Sequence, residues 1–368
     1  MTTYTDLPSI GDIEKSKQRL KFCAQHDLLK HAVSHELGGQ GNGFQELVTA
    51  HLELGKQCQD TGLILSLNAH IWGSIFPLIL YGTEAQKQTW LPSLLSGQLI
   101  AGHAITEPQA GSDIALLNTQ AIATDKGFIL NGHKRFITNT PIADVLLIYA
   151  KLDDKLCGFL VKKDDIGANF SDAPNVTGCT TATMGDIILT DCHIPLNRQL
   201  GKTGAGNMMI QNALELERAF IFAGIIGIMQ WQLEQVISYS RTRLVNGEHL
   251  GKNQAISHKI ADMKCRVDTC LLWVNECARL KDSGKRISLA SAQTKLLASE
   301  AFLQSSLDAA HILGASGLIE ENKMSTLIQD AMASRLFSGS SEIQKNIIAA
   351  LLGTGSGYKQ RNNSLKTT

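Results

Sequence analysis

The residue with the clearest chemical demand is Glu217. Ile210, Leu214, Glu217, Ile221, Gly224, Ile228 and Trp231 recur at alternating spacings of three and four. That is one apolar face of a helix with a single carboxylate set into it. An ionised carboxylate there is costly unless it is paired or used. Used, it is a general base: such a setting excludes water and is expected to raise the carboxyl pKa toward working pH. Paired, it is a buried ion pair with an arginine or lysine of a neighbouring helix. Glu215 falls beside the stripe with Arg218 three residues on, the spacing of an ordinary helical ion pair.

Other candidate chemistry is weaker. His31 and His35 stand four apart, as metal ligands on a helix do, but no third ligand is near. They read as two partly exposed histidines, and no metal is expected. Gly201-Lys-Thr-Gly-Ala-Gly206 lacks the order of a phosphate-binding P-loop and reads as a linker. The 8 cysteines form no Cys-x-x-Cys pair, which argues against structural zinc and thioredoxin-type chemistry. The fingerprints of dinucleotide-binding strands, zinc proteases and serine hydrolases are absent.

The elements that must position Glu217 come in three blocks. The first hundred residues read as helices, with candidates over 46–57 and 60–81, a glycine-dense loop at Gly38–Gly43, and a Gly82 stop followed by a Thr83 cap. From Gly102 the texture is that of strands. Asn131-Gly132 between apolar runs predicts a hairpin, further strands are expected over 145–150, 158–161 and 186–191, and Pro195 closes the stretch. Beyond Gly201 the pattern predicts four long helices over 208–245, 252–281, 288–314 and 324–352. Segregated elements imply an α+β, mostly α, protein. Its expected parts are an N-terminal helical domain (1–101), a small antiparallel β domain (102–200), a four-helix bundle (201–352) and a polar tail (353–368) that frays.

Composition narrows the partners. Lys plus Arg and Asp plus Glu both number 34 in 368 residues, which leaves no electrostatic footprint for nucleic acid or an anionic membrane. The longest apolar run, Ala219 to Met229, falls short of the roughly twenty residues of a bilayer span. The polar start does not read as a signal peptide. A cytoplasmic protein in a reducing compartment is expected.

Two stretches are specific. Ala104-Ile-Thr-Glu-Pro-Gln-Ala-Gly-Ser-Asp113 and Asn131-Gly-His-Lys-Arg-Phe-Ile-Thr-Asn139 resemble the two signatures of the acyl-CoA dehydrogenase family. Gly82-Thr-Glu, Glu217-Arg218, Tyr239, Arg243, Gly247, Gln254, Gly314 and Ser340-Ser-Glu-Ile-Gln344 extend the likeness in the right order over about residues 30–352. The resemblance implies FAD between the sheet and the C-terminal bundle, in a homodimer or homotetramer. It implies α,β-dehydrogenation of an acyl thioester, carried by CoA or by an acyl carrier protein. A carboxylate takes the α proton, the β hydrogen leaves as hydride to flavin N5, and an electron-transfer flavoprotein or oxygen takes the electrons.

Carried over residue by residue, Ile105, Thr106, Gly111 and Ser112 lie on the loop that meets the flavin ring and the acyl chain. Ser112 also resembles a contact to the thioester carrier, and Arg218 is grouped with it toward substrate. Phe136 and Thr138 resemble the strand residues on the flavin's other side. Arg243 and Gln254 look like cofactor contacts across a subunit boundary, His311 and Gly314 stand in the pyrophosphate motif, and Ser340 and Glu342 sit where the adenosine half is held.

The chain also departs from the pattern. Most of the family carries its base before Gly-Thr near the C-terminus, where this chain has Ser338; a second branch, which includes isovaleryl-CoA dehydrogenase, carries it before a helical arginine, as in Glu217-Arg218. Glu217 is therefore the expected base and Ser338 a bystander. Asn246 replaces a phenylalanine, His311 a glutamine and Ala315 a glycine, which puts the boundary contacts in doubt. These departures resemble members that act on carrier-bound acyl groups in biosynthesis. The alternatives are a flavin oxidase of a carrier-tethered acyl or aminoacyl group, and a non-catalytic scaffold.

Overall fold

The computed structural model describes residues 3–4, 6–172, 175–319 and 322–355. Most of the expected polar tail lies outside the described residues. The chain opens with α1 (Ile13–Gln25), α2 (Gly43–Cys58), α3 (Thr61–His70), α4 (Phe76–Tyr81) and α5 (Glu84–Leu95). Asp60 caps α3 through Leu63 N at 3.0 Å. Thr83 and Gln86 form a reciprocal capping box on α5. The helix expected over 60–81 is α3 and α4 joined through a π-helical turn, Ile71–Ile75.

The middle of the chain is a sheet of β1 (Ala101–Ala104), β2 (Gln120–Thr124), β3 (Gly127–Thr138), β4 (Val145–Leu152), β5 (Lys155–Lys162), β6 (Ala168–Asp172), β7 (Met184–Pro195) and β8 (Gln199–Leu200). Its order is β6-β7-β3-β2-β4-β5-β8, with β1 also on β4. The sheet is mixed rather than antiparallel throughout, because β4 pairs in parallel with both β1 and β2. A small core of its own, including Leu130, Ile148, Phe159 and Ile187, holds the sheet together.

The hairpin expected at Asn131-Gly132 is not there. The turn falls at Asp125-Lys126, and Asn131-Gly132 lies inside β3 at a bulge opposite β7. Tertiary contacts override the local turn preference. A Cβ on Gly132 would sit 2.4 Å from Thr119 Oγ1, and Asn131 exchanges hydrogen bonds with Asp191 across the strands at 3.1 and 2.8 Å.

The C-terminal block is α6 (Gly206–Thr242), an exposed hairpin of β9 (Leu244–Val245) and β10 (Glu248–His249), then α7 (Gln254–Asp282), α8 (Ser288–Leu313), α9 (Met324–Ser334) and α10 (Ser341–Leu351). The last expected helix is two. Ser338 (φ 54°) and Gly339 (φ 90°) take left-handed backbone that no helix continues through. Helix α6 is seated on α2 through glycines: a Cβ on Gly55 would lie 1.8 Å from Gly224 O, and one on Gly227 2.0 Å from Leu52 O. Only glycine allows this approach, and it fixes the helix that carries Glu217.

Two stretches, Thr61–Tyr81 and Gly206–Thr242, are long and apolar enough to cross a bilayer. Both are largely buried within the protein, as core helices are. All eight cysteines are free thiols, with Cys265 on α7 exposed.

Candidate active site

A cleft of about 1220 Å³ opens where the sheet meets α6, α9 and α10. It exceeds the roughly 300–1,000 Å³ typical of a pocket for one small ligand. Its walls include Ile105, Thr106, Gly111, Ser112, Phe136, Thr138, Glu217, Arg218 and Ser340. The structure thus brings together nine of the residues singled out in the sequence. Arg243, Gln254, His311, Gly314 and Glu342 stay outside the cleft walls and are exposed.

The 105–112 loop is tied to the sheet from beneath. Glu107, buried, accepts from Asn118 N (2.6 Å), Thr119 N (3.1 Å) and Thr119 Oγ1 (2.6 Å). The fully buried Lys134 donates to Glu107 Oε1 (2.7 Å) and to Ile105 O (3.1 Å). Burial alone would raise the Glu107 carboxyl, but Lys134 and the other donors bring it down to about 2. Arg135 N donates to Thr106 O at 2.9 Å, which fixes Thr106 against β3.

Phe136 stands at a second bulge of β3, at φ 56°, with its amide on Asp186 Oδ1 (3.2 Å). The bulge re-aims the ring into the cleft, where it is 49% exposed. The Arg135 guanidinium covers one side of that ring at 4.7 Å.

Glu217 is 6% exposed. The Ser338 hydroxyl donates to its Oε1, and Nε2 of His103, on β1, lies 3.4 Å from its Oε2. Its partners are therefore a serine and a histidine, not the arginine or lysine of a buried helical pair. Burial pushes the carboxyl up, but His103, Ser338 and Arg218 carry it below the usual value, the reverse of the expected raised base. Ser338 is thus in direct contact with Glu217. Arg218 does not pair with Glu215: its Nε donates to Ser338 O at 3.0 Å, while Glu215 accepts from Ser288 Oγ and Ile287 N at the start of α8.

His103 was missed in the sequence. The available signal was one titratable side chain inside the short apolar run from Ile100 to Ile105, just ahead of the Thr106 motif.

The walls fit a large planar cofactor. A Cβ on Gly111 would meet nothing within 4 Å, so backbone there is open to an occupant. Thr106, Ser112 and Thr138 line the cleft, and the exposed Phe136 ring lies in its wall.

Fold and site define a helix–sheet–helix protein with a buried carboxylate, Glu217, in a deep cleft. The chain belongs to the acyl-CoA dehydrogenase family: its N-terminal domain matches residues 8–98, its middle domain 102–192 and its C-terminal domain 204–353. It is 35% identical to an L-prolyl-[peptidyl-carrier protein] dehydrogenase of Pseudomonas fluorescens, over 89% of this chain and 88% of that one. It is 33% identical to the mitochondrial isovaleryl-CoA dehydrogenase of Arabidopsis thaliana, over 89% and 81%. Among solved structures, the prolyl acyl carrier protein oxidase AnaB matches with a TM-score of 0.89 at 36% identity, over 92% of this chain and 90% of that one. PigA with FAD and proline matches with a TM-score of 0.89 at 34% identity, over 94% and 90%.

Proposed function

We propose that this protein is an FAD-dependent dehydrogenase that oxidises a prolyl group carried as a thioester on a peptidyl carrier protein. The observation that carries the reading is Glu217, buried at the cleft with the Ser338 hydroxyl on Oε1 and His103 Nε2 3.4 Å from Oε2, in a chain similar over nine-tenths of its length to a prolyl-carrier dehydrogenase. Bound FAD would supply a hydride acceptor. Thr106 and Thr138 would donate to its ring from two sides and Phe136 would pack on it. Ser340, which caps α10 through Ile343 N at 3.4 Å, would face its adenosine half. Glu217 takes the α proton of the thioester. Because its carboxyl is held low, it is already deprotonated near neutral pH. The apolar walls, Leu65, Ala69, Ile210 and Leu214, keep water from the reacting carbon. Ser112 and Arg218, both in the cleft walls, would contact the thioester's carrier arm.

Mixing the oxidised protein with prolyl-loaded carrier protein is expected to bleach the flavin, and prolyl-CoA or isovaleryl-CoA to do so far more slowly. Equal bleaching by the CoA esters would assign a CoA substrate, and no bleaching by any thioester would favour the scaffold reading. Rapid reoxidation in air would mark oxygen as the electron acceptor, in line with the oxidase AnaB. Slow reoxidation would mark an electron-transfer flavoprotein.

The reading extends to assembly. Arg243 caps the C-terminal end of α6 and leads into the hairpin, where Leu244 and Val245 are 53% and 47% exposed. Arg243 and Gln254 lie off this chain's own cleft and are exposed, which supports a role for them toward a neighbour's cofactor. A homodimer or homotetramer is expected in light scattering at micromolar concentration; a monomer with full flavin content would contradict it. The free thiols accord with a cytoplasmic location.

A further inference from the structure

Glu217 Oε1 has the Ser338 hydroxyl, but Oε2 has no hydrogen bond within the described residues. His103 Nε2 lies 3.4 Å from it. The imidazole is itself confined. Its ring lies against the π-helical turn, where a Cβ on Gly73 would come within 2.8 Å of His103 N and 3.0 Å of His103 Cγ. The missing side chain of Gly73 is the space the ring uses, and a π-helical turn is a rare local widening that often accompanies a functional group. His103 Nδ1 is buried without a partner. Nδ1 is thus turned away from Glu217, and Nε2 is the ring nitrogen on the Glu217 side.

We propose that His103 is a positioning residue for the base: an imidazole, seated on Gly73, whose Nε2–H holds Glu217 Oε2 while the Ser338 hydroxyl holds Oε1. The separation of 3.4 Å is long for a hydrogen bond, and contacts of this kind tighten when substrate fills the site. Two donors from two elements, β1 and the α9–α10 turn, fix the carboxylate plane and favour its charged form. The other polar groups around it do not take this part. Arg218 of α6 spends its Nε on Ser338 O, Glu215 of α6 serves Ser288, and Tyr149 of β4 keeps a buried hydroxyl with no hydrogen bond. Tyr149 is held neutral by burial, the nearby Tyr81 and the Glu217 charge.

The inference rests on Glu217 as the base, and its test has a readout that does not need turnover. In the holoprotein, the infrared carboxylate band that disappears in Glu217→Gln gives the protonation midpoint of Glu217. His103→Leu and His103→Asn, which lack a donor at the Nε2 position, are expected to raise that midpoint by about one unit. The acid limb of kcat should move with it, while KM changes little. His103→Gln places an amide N–H near the lost Nε2–H and should recover most of the shift. If His103→Leu does not fold, the contrast between His103→Asn and His103→Gln decides. A midpoint unchanged in His103→Asn, or moved equally in His103→Gln, overturns the proposal. Retained bleaching in Glu217→Gln would instead overturn the base assignment.

Discussion

Glu217→Gln is expected to keep its flavin and lose about a hundredfold or more of substrate-driven bleaching, the scale on which a general base contributes. The amide preserves shape and still accepts from Ser338, so the cleft stays intact while the proton acceptor is gone. The Ser338 hydroxyl touches Glu217 Oε1, so the two positions address one point in the cleft. Ser338→Glu in the Glu217→Gln background should therefore restore part of the turnover, with the carboxylate arriving from the α9–α10 turn instead of α6. Ser338→Ala, expected from sequence to cost little, now removes one of the base's donors, and its acid limb should shift upward. Near-normal bleaching in Glu217→Gln with a turned-over thioester would remove Glu217 from the mechanism.

The second large effect concerns stability. Glu107→Ala is expected to cost about 3–5 kcal/mol, because it leaves the ammonium of fully buried Lys134 without its counter-charge. It also frees Asn118 N, Thr119 N and the Thr119 hydroxyl, so the loop bearing Thr106 and Ser112 loosens and flavin retention falls with the unfolding midpoint. Glu107→Ala combined with Lys134→Met removes the stranded charge and should recover much of the midpoint in urea. The pH sense follows from the folded carboxyl near 2, below its ordinary value of 4.5. This contribution is complete above the unfolded value and is lost as pH falls toward 2. A single variant as stable as the parent, with the same acid sensitivity, would show that the pair contributes nothing.

What could be read beforehand depended on how local its cause was. Glu217 was legible because its own helix announces it, one carboxylate in a stripe of Ile210, Leu214, Ile221 and Ile228. The three-block order was legible because helical and strand periodicities segregate along the chain. Asn131-Gly132 misled because turn preference is local, whereas Thr119 and Asp191, distant in sequence, decide the path of β3. The break at Ser338-Gly339 was passed over although Gly339 marks it, and with it went the hydroxyl that meets the base. The sign of the Glu217 shift was wrong for the same reason. Burial was inferred from the stripe, but His103 and Ser338 come from elements more than a hundred residues away in the chain.

The thiols have a practical corollary. Burial raises the pKa of Cys23, Cys58, Cys157, Cys179, Cys192, Cys270 and Cys277, and a maleimide reacts with thiolate. Cys265, exposed on α7, is left as the natural attachment point for one fluorophore. The native chain thus carries a single-site chemical handle without engineering, on the helix that follows the exposed hairpin. A dye placed there reports whether that helix face meets solvent or a second copy.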